Sequence, residues 1–219
     1  MQKLSYLLIL SLALPFVACQ NVELPAPIPE TEWVDFANPQ IGQSTYYVRY
    51  TTDCDNLDRA FQFSKDTLIL SVVAVDGNLS TLEERFTPGS PFYKDGIVEP
   101  NRYDVSSNQD YALLTERWNS ALFFFYGNDT LRLTADHSAT LKQDVCRLTI
   151  EDENFIGNEV GRLGSFELGP LEQKNKTAVS CVPMVLSMEA YLIYDKNYLH
   201  MSHTIVQDGT VSGWVAVSP

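Results

Sequence analysis

The chain predicts an all-β fold, an antiparallel meander that curls toward a closed barrel rather than a two-sheet sandwich. Three observations lead there. Apolar residues alternate with polar ones at period two in one segment after another, the mark of half-buried strands. Short turns rich in Asn, Asp and Gly separate these segments, and such residues tolerate the positive φ that tight hairpins need. No stretch sustains a helical period. Hairpins that follow one another in sequence favour an up-and-down barrel over the sandwich.

The strand candidates begin near Tyr46. Thr67–Val75 and Ala121–Tyr126 are apolar on both faces and are expected at the centre of the sheet or against a filled interior. Ser80–Phe86 fits either a strand or a short helix, because Ser80 and Glu83 have the spacing of a capping box. Leu131, Leu133 and Ala135 alternate with Arg132 and Thr134, and Cys146, Leu148 and Ile150 with Arg147 and Thr149. Leu186, Met188, Ala190, Leu192 and Tyr194 form one face of a longer strand. Near the C-terminus Trp214 and Ala216 oppose Val215 and Val217. The turns are Asp76–Gly77–Asn78, Gly127–Asn128–Asp129, Asp195–Lys196–Asn197 and Asp208–Gly209, and the whole amounts to about ten strands by periodicity. In outline the barrel is lipocalin-like, by analogy alone: lipocalins carry Gly-x-Trp at the start of the domain, and here Trp33 follows Thr31–Glu32.

The N-terminus carries a different signal. Met1–Lys3 is a short charged region, and Leu4–Val17 is an apolar run too short for a permanent span, which needs about 20 residues. Length and position describe a signal peptide. The run ends Phe16–Val17–Ala18–Cys19. This boundary resembles the lipobox of bacterial lipoproteins. Val17, Ala18 and Cys19 match it, and Phe16 departs from it where the family usually has Leu. The resemblance covers residues 1–19 only and implies that Cys19 is the lipidated (palmitate-bearing) N-terminus of a cell-envelope protein, with an outer-membrane lipoprotein as the expected location. The competing reading is a secreted protein cut after Cys19, whose sequons at Asn78, Asn128 and Asn175 would then be glycosylation candidates. Residues 20–32 hold Pro25, Pro27 and Pro29 and predict an extended polyproline-II tether with a reach of about 40 Å at 3.1 Å per residue. Residues 33–219 are read as one all-β domain.

The net charge of −13 excludes nucleic acid as an expected partner, since phosphate backbones require clustered Lys and Arg. Lys3 is the one charged side chain before Cys19, so the chain beyond it is more acidic still. Beyond Cys19 stand Cys54, Cys146 and Cys181, an odd number that predicts one pair and one leftover. Pairing is open, and Cys146, on an apolar strand face, fits a buried thiol as well as a bridge.

Catalytic signatures are missing: there is no Gly-x-Ser-x-Gly, no phosphate-binding glycine loop, no His-Glu-x-x-His and no dinucleotide fingerprint. No cofactor and no metal is expected. His200 and His203 are the nearest thing to a ligand pair, but in a strand an odd offset sends them to opposite faces. His203 is then a hydrogen-bonded core residue with Leu199, Met201 and Ile205, and His200 a solvent-side one. Asp53, Asp55, Asn56 and Asp58 around Cys54 are expected to form a surface loop rather than a calcium site: Leu57 stands at a ligand position and the required glycine is missing. Glu151–Asp152–Glu153–Asn154 reads as a second acidic loop. Phe123–Phe124–Phe125–Tyr126 are core aromatics or the lining of an apolar cavity. The expectation for function is a lipid-anchored, non-enzymatic binding or accessory module. Its partners would be the membrane through the lipid and a small hydrophobic ligand or an envelope protein. A carboxylate-based hydrolase of extracytoplasmic polymers and a structural envelope protein are the alternatives.

Overall fold

The computed structural model describes residues 33–87, 101–107, 111–115, 122, 130–134, 139–150, 160–180, 188–195, 198–206 and 208–217. Cys19 with its signal segment, the proline tether, the aromatic run 123–126, the acidic loop 151–154, Cys181 and the turns 127–129 and 196–197 lie outside them. The strands are β1 (Ser44–Asp53), β2 (Gln62–Asp76), β3 (Leu79–Phe86), β4 (Asn101–Ser107), β5 (Tyr111–Thr115), β6 (Thr130–Thr134) and β7 (Ala139–Asp144), followed by β8 (Arg147–Ile150), β9 (Val160–Leu168), β10 (Leu171–Ser180), β11 (Met188–Asp195), β12 (Tyr198–Val206) and β13 (Thr210–Ala216). A single helical turn, α1 (Leu57–Ala60), follows β1. Ser80–Phe86 is a strand, part of β3. The thirteen strands among the described residues exceed the ten expected, chiefly because the glycines of β9 and the charged and polar residues of β10 leave little alternation.

All the described strands belong to one sheet, ordered β6-β5-β4-β3-β2-β1-β13-β12-β11-β10-β9-β7-β8. Every pairing is antiparallel except β7 with β9. The chain therefore meanders outward from β1 to β6, jumps to the far edge, and meanders back to close β13 against β1. The Asp76–Asn78 hairpin is a two-residue loop between the paired Asp76 and Leu79. Gly77 sits at φ 63° and Asn78 is not among the positive-φ residues, the pattern of a II′ turn, whose twist suits the flanking strands.

The central strands β1, β11, β12 and β13 bury side chains on both faces. On one face Tyr47, Leu192, Tyr194, Leu199 and Trp214 pack with Leu68, Leu82 and Tyr103 of β2–β4, and Trp33, Val34 and Phe36 cover their end. On the other, Tyr50, Ile193, Met201, Ile205 and Val215 pack with Leu148, Leu163, Phe166 and Ala178 of β8–β10. Each fully buried side chain of this size contributes about 1.5–3 kcal/mol. β2 is internal to the sheet, as Thr67–Val75 predicted, but it is not buried on both faces. Leu68, Leu70 and Val72 are buried, whereas Val73 and Val75 are exposed, because β2 belongs to the arm of the sheet with a core on one side only.

The second core closes the fold into a curled half-barrel. β8 is seven places from β1 in the strand order. Yet Cys146, just before β8, is bonded to Cys54, just after β1, with the Cα atoms 5.5 Å apart. Side chains reach across the same gap: Tyr191 Oη of β11 donates to Leu148 O at 2.9 Å, His203 Nε2 of β12 meets Cys146 O at 2.8 Å, and Arg147 of β8 pairs with Glu189 of β11. Strand pairing does not join β8 to β1; a cystine and hydrogen bonds from the floor of the curl do. Gln143 extends the short β7–β9 ladder by imitation, its amide accepting from Glu167 N–H at 2.8 Å and donating to Glu167 O.

Candidate functional site

Three polar constellations stand out. The first surrounds His203, fully buried on the cystine side. In the row β1–β13–β12–β11 the cross-strand partners are Tyr50, Gly213, His203 and Tyr191. Glycine is required at 213: a Cβ there would meet Tyr50 Oη at 2.5 Å and Cζ at 2.7 Å and strike Ser202 O. The Tyr50 ring crosses that gap to bring its hydroxyl 2.8 Å from His203 Nδ1 and 3.1 Å from Ser202 O. Cys146 O only accepts, so Nε2 carries the hydrogen and Nδ1 accepts from the phenol. Burial holds the imidazole pKa down at about 4, with the bond to Cys146 opposing that shift, and burial pushes the Tyr50 phenol up. Both ring nitrogens are engaged within the protein, so the expectation of a hydrogen-bonded core histidine holds.

The second constellation corrects the expectation for His200. It is buried, not on the solvent side. The register passes from Ile193↔Met201 to Tyr194↔Leu199, so His200 is the extra residue of a β-bulge. A bulge re-aims the side chains on either side of it. Leu199 accordingly packs with Tyr194 and Trp214 rather than with Met201 and Ile205. The His200 ring lies against Trp33, centroids 5.2 Å apart, and its Nε2 is 3.3 Å from Lys176 Nζ, which also bonds Asp195 Oδ2 at 3.1 Å. Burial and then the Lys176 charge lower its pKa to about 4, partly opposed by Asp195. Lys176 links the imidazole and the carboxylate, and the His200 ring holds the first described residue, Trp33, against β12. The two histidines do not form a ligand pair, and among the described residues no cluster of three or more His, Cys, Asp or Glu is placed to hold a metal.

The third is an open notch of about 510 Å³ at the end of the sheet where residue 33 enters. One wall is the loop 37–40; the other is Val75, Gly77 and Asn78 of the β2–β3 hairpin, with Ser80 and Ser107 below. The loop is held by its own side chains. Asp35 Oδ1 accepts from Ala37 N–H at 2.9 Å, and Gln43 Oε1 accepts from Asp35 N–H and Gln40 N–H. Two backbone bonds fix it to β2, Gly42 N–H to Val72 O and Val72 N–H to Gln43 O. Ser107 N–H to Asn78 O fixes the other wall to β4.

Among the described residues the buried acids are each committed to other groups. Glu83 and Glu84 are consecutive on β3 and so point to opposite faces. Glu83 is gripped by Arg85 and by both Nε and Nη2 of Arg102. Glu84 accepts from Leu122 N–H at 3.4 Å, and its charge helps burial raise the phenols of Tyr47 and Tyr103. Asp66 takes a hydrogen bond from Ser64 and pairs with Arg49 at 3.6 Å.

Of the acidic group around Cys54, Asp53 Oδ1 accepts from Asp55 N–H, and Asp55 and Asn56 are exposed, as a surface loop requires. No periodicity argument finds Glu84, the Tyr50–His203 bond or the notch, since each depends on which strands become neighbours. No family model matches the chain, and no curated protein matches it in sequence.

Proposed function

We propose that this chain is a lipid-anchored, extracytoplasmic β-domain, tethered through Cys19 to the outer membrane, that works by binding rather than by catalysis. The observation that carries the reading is the Cys54–Cys146 cystine, which joins the edge of the curl to β1. Structural disulfides form and persist outside the cytoplasm, which is where the signal segment directs the chain. The lipobox-like Val17–Ala18–Cys19 then supplies the anchor, and residues 20–32 the spacer.

Binding is favoured over hydrolysis by the commitments of the buried acids. Asp66, Glu83 and Glu84 each serve arginines, a hydroxyl or a backbone N–H, which leaves little freedom for proton transfer. The curl on the cystine side is filled by Tyr50, Phe166, Tyr191 and His203, so the notch is the better place for a ligand than the interior. The test of the anchor is Cys19→Ala. The wild-type chain is expected in the membrane fraction and the variant in the soluble fraction. Equal partitioning of both would overturn the proposal, and a soluble wild type with glycans on Asn78 or Asn175 would establish the secreted alternative.

A further inference from the structure

We propose that the notch between the 37–40 loop and the β2–β3 hairpin binds a neutral polyhydroxylated ligand, a segment of glycan, and that this is the ligand class of the module. The identification rests on the binding reading above but not on the anchor.

Its lining is polar without being charged. Asn38, Gln40 and Asn78 present exposed primary amides, with Gln40 Nε2 donating to Asn38 Oδ1 at 3.1 Å, and the largely buried Ser80 and Ser107 lie at the notch's edge. Amides and hydroxyls both donate and accept, as sugar hydroxyls do, whereas a phosphate or carboxylate ligand calls for cations. Among the described residues no Lys, Arg, Asp or Glu lines the notch, and the net charge of −13 further disfavours anions. The exposed Val75 provides apolar surface for the C–H face of a pyranose. The volume of about 510 Å³ falls within the range of about 300–1,000 Å³ typical of small-ligand sites. Both walls are fixed before any ligand arrives, the loop through Gln43 and Val72 and the hairpin through Ser107. Such preorganisation spares the entropy of ordering a loop on binding. The open mouth suits one or two residues of a longer chain rather than a ligand swallowed whole.

The test is saturation-transfer NMR on the full chain in detergent, with cellobiose and N,N′-diacetylchitobiose as probes at about 10 mM, within reach of millimolar affinities. Glucose 6-phosphate and tetra-alanine serve as the anionic and peptide arms. At least one neutral disaccharide should receive saturation. Asn38→Ala with Gln40→Ala, whose side chains are exposed, should weaken it by about tenfold without moving the thermal midpoint. Val75→Asp should abolish it. Silence from both disaccharides, a signal from the peptide or phosphate arm in their place, or undiminished transfer in the loop variant overturns the proposal. Each measurement is repeated on Cys19→Ala, so that loss of the anchor and loss of the site are read separately.

Discussion

Removing the cystine should open the curl and leave the rest of the sheet standing. Cys54 and Cys146 are 92 residues apart in sequence. In the chain-entropy model a cross-link over that span restricts the unfolded chain by about 4.6 kcal/mol at 25 °C. Unfolding of a domain of about 190 residues carries an entropy of roughly 0.4 kcal/mol/K, so the double variant Cys54→Ala/Cys146→Ala should melt about 12 °C below the wild type. The loss should also be local. Among the described residues the hairpin β7–β8 keeps a three-pair parallel ladder to β9, the Gln143 amide, the bonds from Tyr191 and His203, and the Arg147–Glu189 ion pair. Calorimetry gives the first quantity and amide hydrogen exchange the second. Exchange should rise across 139–150 and stay unchanged in β1–β4. A midpoint shift under about 3 °C, worth close to 1 kcal/mol, would refute closure by the cystine, as would exchange that rises uniformly.

Three further outcomes follow from the same region. Gly213→Ala should destabilise by about 3 kcal/mol or more in urea titration, because the new methyl strikes Ser202 O and the Tyr50 ring; a loss below 1 kcal/mol would show that the crossing is slack. His203, held at about 4 against an unfolded value near 6.5, binds its proton more weakly in the folded state. Its stabilising contribution is therefore full above pH 6.5 and is lost as pH falls toward 4, about 3 kcal/mol at 1.36 kcal/mol per unit; His203→Gln should flatten that slope, with the His200 share remaining. Val145, a β-branched residue at φ 53° and exposed, occupies a conformation suited to glycine or asparagine; Val145→Gly should gain about 0.5–1 kcal/mol, and a loss would mean that its side chain holds the hairpin tip.

The all-β class and much of the strand inventory were legible because alternation is a local property. Cys146 and Leu148, Ala190, Leu192 and Tyr194, and Trp214 with Ala216 lie buried where the period placed them. What escaped depended on neighbours distant in sequence. The bulge at His200 shifts the faces by one residue, so strict alternation misassigned both His200 and Leu199. β9 and β10 were overlooked because Gly161, Gly164, Lys174 and Lys176 dilute the pattern, although Gly169–Pro170 between Leu168 and Leu171 was a usable turn signal. The Val145–Cys146 turn was unreadable, since neither residue favours a tight hairpin; its geometry is imposed by β7, β8 and the cystine. The aromatic stripe 123–126, a possible cavity lining by sequence, lies outside the described residues. The notch lies among short polar residues, which carry no periodic signal.

The most direct test of the account is the intact mass of the N-terminal peptide from the mature protein isolated from its native membrane. Cleavage before Cys19, with a diacylglycerol thioether on its sulfur and the tether from Gln20 following, is the result the account predicts. An unmodified N-terminus at Gln20 or at any later residue would contradict it.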